Sequence, residues 1–331
     1  MPRFNPITDI PDLTGRVAIV TGANSGLGYQ TAQQLANHGV KLYLTTRSEA
    51  KALDTIRRLE EANPALRDSD RLQYLVVDFS LVKNAKAAAE EFLRRESRLD
   101  ILVNNAGMSV GDFTITSEGL SLVFAADHVS PFVFTIGLLP LLEATAKQPG
   151  TDVRIVTISS IAHFNIKRAK FDSIEDFRDD YSSGGKVNGT TANMARYGQA
   201  KLANILFAKE LQRRLDAAGV PIISISLHPG AVVTEGFENA IQKLGFSFLW
   251  PLLSWLLLMG TLQGTLTQLF AATSPEVRKD ADRFKGQYLI PYGKVAPARQ
   301  MSDLAKNPEL PGQLWQMTEK VVADILGKGT V

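Results

Sequence analysis

Cysteine is absent from this 331-residue chain. That excludes disulfides, thiolate zinc sites and a cysteine nucleophile. Histidine is scarce as well. His38, His128, His163 and His228 are scattered, with no pair spaced to share a turn of helix, so no metal site is expected. Nor is there a basic stripe. Lysine and arginine mix with aspartate and glutamate to a net charge of +2, which leaves no footprint for nucleic acid. The N-terminal "MPRFNPITDIPDLTG" has no apolar core of the kind a secretory signal peptide needs. Together with the missing cysteine, this sets the expectation of a reducing, cytoplasmic setting. Long apolar runs are also lacking. The greasiest stretch, Gly245 to Gly260, falls short of the ~18 apolar residues of a spanning helix, and Pro251 and two serines interrupt it. A buried or substrate-covering segment is favoured there over a peripheral anchor on a membrane surface.

What is present is a rhythm. With 45% hydrophobic and 21% charged residues, the chain can bury a full core. Apolar β-branched runs read as strands at Val17 to Thr21, Val40 to Thr46, Leu72 to Val77, Ile101 to Asn104, Val153 to Ser159, Ile222 to Leu227 and Gly286 to Ile290. Near-continuous apolar strands imply burial on both faces, as in a parallel sheet covered by helices. Amphipathic stretches lie between them, among them Glu49 to Ala62, Val82 to Arg95 and Ala200 to Ala218. The alternation predicts an α/β fold over residues 1–331, a single-domain doubly wound parallel sheet of Rossmann type with helices on both faces. Its core spans about 13–290. Two segments break the rhythm, a polar insertion at 162–195 and the region 231–259.

"TGANSGLG", Thr21 to Gly28, follows the first strand and opens a helix. Gly22, Gly26 and Gly28 allow a tight turn and close approach to a pyrophosphate, with Asn24, Ser25 and Leu27 on the same turn. An ordinary βα turn is the alternative, and the position after the first strand favours the dinucleotide site. The end of the second strand, where an acid would select NAD(H), reads Thr45, Thr46, Arg47, Ser48. Arg47 offers a planar, permanent charge suited to a 2′-phosphate, so NADP(H) is expected over NAD(H). Alternatively Arg47 is a solvated residue at a helix start, partly neutralised by Glu49.

Further motifs follow in order: Asp78 in "VDF", "NNAG" (Asn104 to Gly107), "SS" (Ser159, Ser160), "YGQAK" (Tyr197 to Lys201) and "HPGAVVT" (His228 to Thr234). In this order, after these strands, the chain resembles a short-chain dehydrogenase/reductase from about Leu13 to Ile290. The resemblance implies that Asp78, with Phe79 beside it, meets the adenine ring. It implies that Asn104, Ala106 and Gly107 wall the adenosine side, that Thr234 faces the carboxamide of the nicotinamide, and that Pro229, Gly230 and Val232 also bind the cofactor. It makes Tyr197 the catalytic acid/base, Lys201 the residue that binds the ribose and eases the tyrosine's ionisation, and Ser160 the holder of the substrate oxygen. The residues agree with this. Tyr197 and Lys201 are four apart, hence on one helical face, and an ammonium nearby favours a phenolate.

Thirty-seven positions separate Ser160 from Tyr197. That long insertion, followed by "KLANILFAKEL", resembles the retinol dehydrogenase-like branch and its fungal relatives in secondary metabolism. The branch implies a lipophilic carbonyl or alcohol substrate. Phe164, Phe171, Phe177 and Tyr181 then either line a pocket or merely anchor the loop. The region 231–259, directly after "HPGAVVT", is placed as a lid over the substrate. Pairing into homodimers or homotetramers is also implied, through the helices that hold Asp127 and Tyr197. In one place the chain departs from the family pattern. "FAADHVSPF" puts Asp127 where an active-site asparagine is usual. Close to Lys201, its charge would hold the ammonium and weaken its pull on Tyr197, or it would join a proton relay. Otherwise Asp127 points elsewhere and Pro131 shapes the helix. The implied function is an NADP(H)-dependent oxidoreductase. The rivals are a catalytically weakened NADP(H)-binding sensor and a dehydratase or isomerase on the same fold.

Overall fold

The structure, a computed structural model, describes residues 4–67, 69–108, 111–230 and 264–327. The expected lid, the greasy stretch at Gly245 to Gly260, and Val232 and Thr234 lie outside the described residues.

Strands β1 (Val17–Thr21), β2 (Lys41–Thr46), β3 (Leu72–Val76), β4 (Ile101–Asn104), β5 (Arg154–Ile158), β6 (Ile223–Leu227), β7 (Tyr288–Ile290) and β8 (Lys294–Val295) form one sheet in the order β3-β2-β1-β4-β5-β6-β7-β8. Every pairing is parallel except β7 with β8. The chain starts at β1, winds out to β3, then returns past β1 to β4. The order therefore reverses between β1 and β4, where a crevice opens at the carboxyl ends of the strands.

Alternate residues of each strand feed separate cores. Val17 and Ile19 of β1 enter one, and Ala18 and Val20 enter the other. On the first face lie α3 (Val82–Arg95), α4 (Leu122–Ala146) and α5 (Thr190–Ala217). On the second lie α1 (Gly26–Asn37), α2 (Glu49–Ala62) and α6 (residues 264–273). Among the described residues only α4 is long and apolar enough to cross a membrane by length and composition, and 78% of its most apolar window is buried inside the protein. It is a core helix here. Pro131 has no N–H to give to the carbonyl of residue 127, and the helix widens there into a π turn, Ala125–Val129.

The sequence pattern left out the last element, α7 (Leu310–Leu326). Its Trp315 is 5% exposed and stacks on Phe207 of α5 with ring centroids 5.8 Å apart, while meeting Phe132 of α4 edge-on at 4.9 Å. The chain's own C-terminal helix thus covers part of the two helices through which pairing was expected. His128 completes this seam. Its Nε2 lies 3.1 Å from Thr318 Oγ1, whose own proton goes to the Leu314 carbonyl at 2.7 Å. The imidazole is therefore the donor, through Nε2.

Burial among Phe124, Phe132 and Phe207 pushes His128 down to about 3, from an ordinary 6.5. Between those two values the unfolded chain takes up a proton that the native ring refuses, so stability is full above the upper value and falls with acidification. This one group should contribute a slope of up to ~1.4 kcal/mol per pH unit in that window. Urea midpoints measured across it should fall less steeply for His128→Gln than for the wild type. Equal slopes would remove this account of the seam.

Candidate functional site

The turn after β1 is built around glycines. Gly22 has φ +65°, and a Cβ on Gly28 would lie 2.3 Å from the Gly22 carbonyl oxygen and 2.6 Å from Asn105 Nδ2. Ser25 precedes α1 without capping it through its side chain, so the first-turn N–H groups have no side-chain partner. Ser25 and Gly26 are exposed, and Asn24 and Leu27 half-buried. This open turn, backed by glycines and fronted by uncapped amides, fits the pyrophosphate of a dinucleotide. The Thr21 hydroxyl accepts the N–H groups of Asn105 and Ala106 at 2.9 and 2.8 Å, fixing the loop after β4 against it.

Two residues of this cradle were not anticipated. Asn105 donates to the Thr21 carbonyl at 2.8 Å and accepts from Gln268 of α6 at 3.2 Å; Gln268 in turn accepts from Thr31 of α1 at 2.5 Å. Asn105 could be found in the sequence as the second asparagine of "NNAG". Gln268 carried no such signal. Arg58 of α2 also reaches in, donating to the Asn24 carbonyl at 2.6 Å with its guanidinium 4.6 Å from the centre of the Tyr29 ring.

Of the residues assigned to the adenosine side, Arg47 is exposed and forms no ion pair among the described residues. Glu49 is engaged elsewhere, accepting the Tyr74 phenol at 2.5 Å. Asp78 is half-buried and accepts the Ser80 amide at 3.0 Å. Phe79 differs from expectation: its ring is 7% exposed and packs edge-on against Phe134 at 5.6 Å, so only its backbone can face a ligand. Asn104 also turns inward, donating to Thr135 of α4 at 2.8 Å and leaving its Oδ1 buried without a partner. At the other end, Pro229 packs close to α6, and Gly230 donates its N–H to His228 Nδ1 at 3.1 Å. That bond puts the His228 proton on Nε2, and burial lowers its pKa to about 4.

Beyond β5 the two serines divide their roles. Ser159 is buried and donates to the Lys201 carbonyl at 2.6 Å, while Asn204 donates to the Ile158 carbonyl at 2.9 Å. The end of β5 is thereby fixed to the Lys201 turn of α5. Ser160 is half-buried, and its hydroxyl accepts the Ala162 N–H at 3.2 Å, capping a 3₁₀ turn at Ile161–Phe164. Its own proton has no acceptor among the described residues. A Cβ on Gly198 would lie 2.6 Å from the Ala162 carbonyl, so this turn presses on α5 beside Tyr197. His163 supports it from behind. Its Nε2 accepts from the Ser302 amide at 3.2 Å, hence Nδ1 carries the proton and donates to the Ser160 carbonyl at 2.8 Å. Within the insertion, Phe171 and Phe177 are 1% and 0% exposed and pack on Phe124, so they anchor the loop rather than line a pocket. Phe164 and Tyr181 are half-buried.

Tyr197 is half-buried, with Lys201 Nζ 5.3 Å from its ring centre. Asp127 does point at that lysine: its Oδ2 lies 2.8 Å from Nζ, with side chains 0% and 6% exposed. Its Oδ1 accepts the Met108 N–H at 2.5 Å. A Cβ on Gly107 would lie 3.0 Å from the carboxylate and 3.1 Å from the ammonium, so a larger residue there would press on the pair. Burial raises the Asp127 carboxyl above the usual carboxylate range, against the opposing pull of Lys201 and the Met108 amide. Burial alone would lower Lys201, but Asp127 and Tyr197 outweigh it and hold the ammonium above its ordinary range. Both groups keep their protons more firmly than in water.

A family model described as short chain dehydrogenase matches residues 16–169. A short chain dehydrogenase/reductase of Colletotrichum higginsianum is 40% identical over 316 residues, covering 95% of this chain and 77% of the relative. One of Armillaria gallica is 40% identical over 311 residues, covering 92% and 94%. Among solved structures, an uncharacterised protein of Mycobacterium paratuberculosis superposes with a TM-score of 0.69 at 25% identity, covering 97% of both chains. The RhlG/NADP complex of Pseudomonas aeruginosa does so with a TM-score of 0.58 at 26% identity, covering 84% of this chain and 95% of that one. Fold, motif order and relatives agree, and the chain belongs to the short-chain dehydrogenase/reductase family of oxidoreductases.

Proposed function

We propose that this oxidoreductase uses NADP(H) to interconvert a lipophilic ketone or aldehyde and its alcohol. The observation that carries the reading is Lys201 Nζ 5.3 Å from the centre of the Tyr197 ring, with the turn that Ser160 caps pressed on α5 at Gly198 and Gly107 close to Lys201. The bound nicotinamide supplies or takes up a hydride at the substrate carbon. In the reductive direction Ser160, whose hydroxyl proton is unclaimed, donates a hydrogen bond to the substrate oxygen, and Tyr197 delivers its proton there. Lys201 favours the resulting phenolate. Arg47, exposed and free of an ion pair among the described residues, is the residue we assign to the 2′-phosphate. An NADP complex among the similar structures supports that choice. The fungal source of two similar relatives and the resemblance to the retinol dehydrogenase-like branch support a lipophilic substrate within secondary metabolism.

NADPH consumption against decanal, acetophenone and related carbonyls tests the reading. Tyr197→Phe keeps the ring and removes the proton, so turnover should fall by ~10²–10⁴ while cofactor binding persists. Undiminished turnover would dismiss Tyr197 as the acid. Arg47→Ala should raise the KM for NADPH by roughly 10–100-fold and leave that for NADH nearly unchanged. Equal effects on both cofactors would argue against the 2′-phosphate assignment.

A second reading rests on the Asp127–Lys201 contact of 2.8 Å. A carboxylate this close offsets the charge that Lys201 presents to Tyr197, which favours a weakened enzyme or an NADP(H) sensor. Asp127→Asn keeps an acceptor for Met108 and removes the charge. In the enzyme reading, followed in the alcohol-oxidising direction where Tyr197 is the base, it should move the acid limb of the pH–rate profile to lower pH and raise the rate near neutrality. A superimposable profile would show that the carboxylate has no part in tuning. Tight NADPH binding without turnover of any carbonyl, in either protein, would favour the sensor.

A further inference from the structure

Arg196 stands one residue before Tyr197 and is 2% exposed. A guanidinium is charged at any working pH, and burying it is costly unless its five N–H donors are met. Among the described residues no carboxylate lies within ion-pair distance of it; Asp112 and Asp180 stand near enough to favour its charge without touching it. Its two Nη atoms are met by backbone carbonyls and one side chain, while Nε is buried without a partner. Nη1 donates to Asp180 at 2.5 Å and to Val187 at 2.9 Å. Nη2 donates to the Asn193 side chain and, at 3.5 Å, to the carbonyl of Gly111. Its Cζ lies over the Phe113 ring, 5.2 Å from the ring centre.

These partners belong to two different loops. Gly111 and Phe113 are in the loop after β4, and Asp180 and Val187 are in the insertion after β5. Both loops leave the carboxyl ends of neighbouring parallel strands, on one side of the crevice where the strand order reverses. One further bond joins them directly, from the Phe113 N–H to Asn188 Oδ1 at 2.8 Å. The insertion is tightly wound at the clamp, with Tyr181 and Ser183 at φ 57° and 50°. Such backbone persists only where its surroundings fix it.

We propose that Arg196 is a positioning residue that sets the substrate-binding wall, clamping both loops to the helix one residue ahead of Tyr197. The proposal rests on the carbonyl-reductase reading above and deepens it. Ser160 and Tyr197 meet the substrate oxygen, and the loops held by Arg196 meet its carbon skeleton. Lysine cannot replace it, because a single ammonium cannot reach two loops with the geometry of a planar fork.

The test compares Arg196→Lys and Asn188→Ala with the wild type. For Arg196→Lys, hydrogen exchange at Phe113 and across residues 180–188 should quicken at least tenfold. The KM for the best carbonyl found above should rise about tenfold, with kcat and NADPH affinity, read by cofactor fluorescence, within about twofold. Asn188→Ala cuts the bond between the loops without touching the catalytic helix and should raise KM less. The double variant should fall short of additivity. Unchanged exchange would overturn the clamp. Quickened exchange with an unchanged KM would overturn the link to substrate. A fall in kcat with KM unmoved would make Arg196 a support of Tyr197 alone and also overturn the proposal. If Arg196→Lys does not fold, Asn188→Ala decides by the same two readouts. If the wild type turns over no carbonyl, the functional reading fails by itself, and exchange with and without NADPH still decides the clamp.

Discussion

An ammonium and a carboxylate 2.8 Å apart, both shut away from water, set the terms for the rest of this molecule. Removing one member of such a pair leaves a buried charge uncompensated, at a cost of about 3–5 kcal/mol. Both therefore have to be delivered together, and four chain segments converge to do it. The π turn of α4 presents Asp127, and α5 presents Lys201. The loop after β4 gives the Met108 amide to the carboxylate, and the end of β5 gives the Ser159 hydroxyl to the lysine's carbonyl. Gly107 leaves the room in which the pair sits. The chain's departure from the usual asparagine is thus built into its packing.

The same convergence explains why the site is rigid where proton chemistry is proposed and open where ligands would arrive. Ser159, Asn204 and Gly198 lock β5 and the turn after it to α5. The hydroxyl of Ser160 and the ring of Tyr197 stay half-buried at the edge of that locked zone. On the far side of β1, Thr21, Asn105 and Gln268 brace the glycine turn from beneath, while its outer amides remain uncapped. Rigid backing with an unclaimed front is what preorganised binding requires.

Much of this fold could be read in the sequence because both faces of the sheet are buried. Strands such as Val17–Thr21 and Ile101–Asn104 appear as unbroken apolar runs, and α2 and α3 show their periodicity cleanly. The missed elements share a cause, since each depends on distant contacts more than on local pattern. The first turns of α5, "TTANMA", read as part of the insertion; they are helical, and place Arg196 where it can reach two loops. Strand β8 has two residues and exists only as the partner of β7. Helix α7 opens with Leu-Pro-Gly, and its reason for being is Trp315 between Phe132 and Phe207. In the site, motif order placed Ser160, Tyr197 and Lys201 on their elements, yet could not show that Phe79 and Asn104 turn inward. Nor could it show Gln268, which meets Asn105 across 163 positions.

The segments beyond β7 are thereby more than a trailing end. His163 shows the coupling most directly, because its two nitrogens have opposite duties. The Ser302 amide occupies Nε2 as an acceptor, and this alone leaves the proton on Nδ1 for the Ser160 carbonyl. A protonated ring would lose the Ser302 bond, and burial disfavours that form by lowering the histidine's pKa. The tautomer that steadies the backbone of Ser160 is therefore set by a residue 139 positions away, outside the sheet. The C-terminal region, which the motif order left out of the core, supports the Ser160 turn through this ring and supports α5 through Trp315.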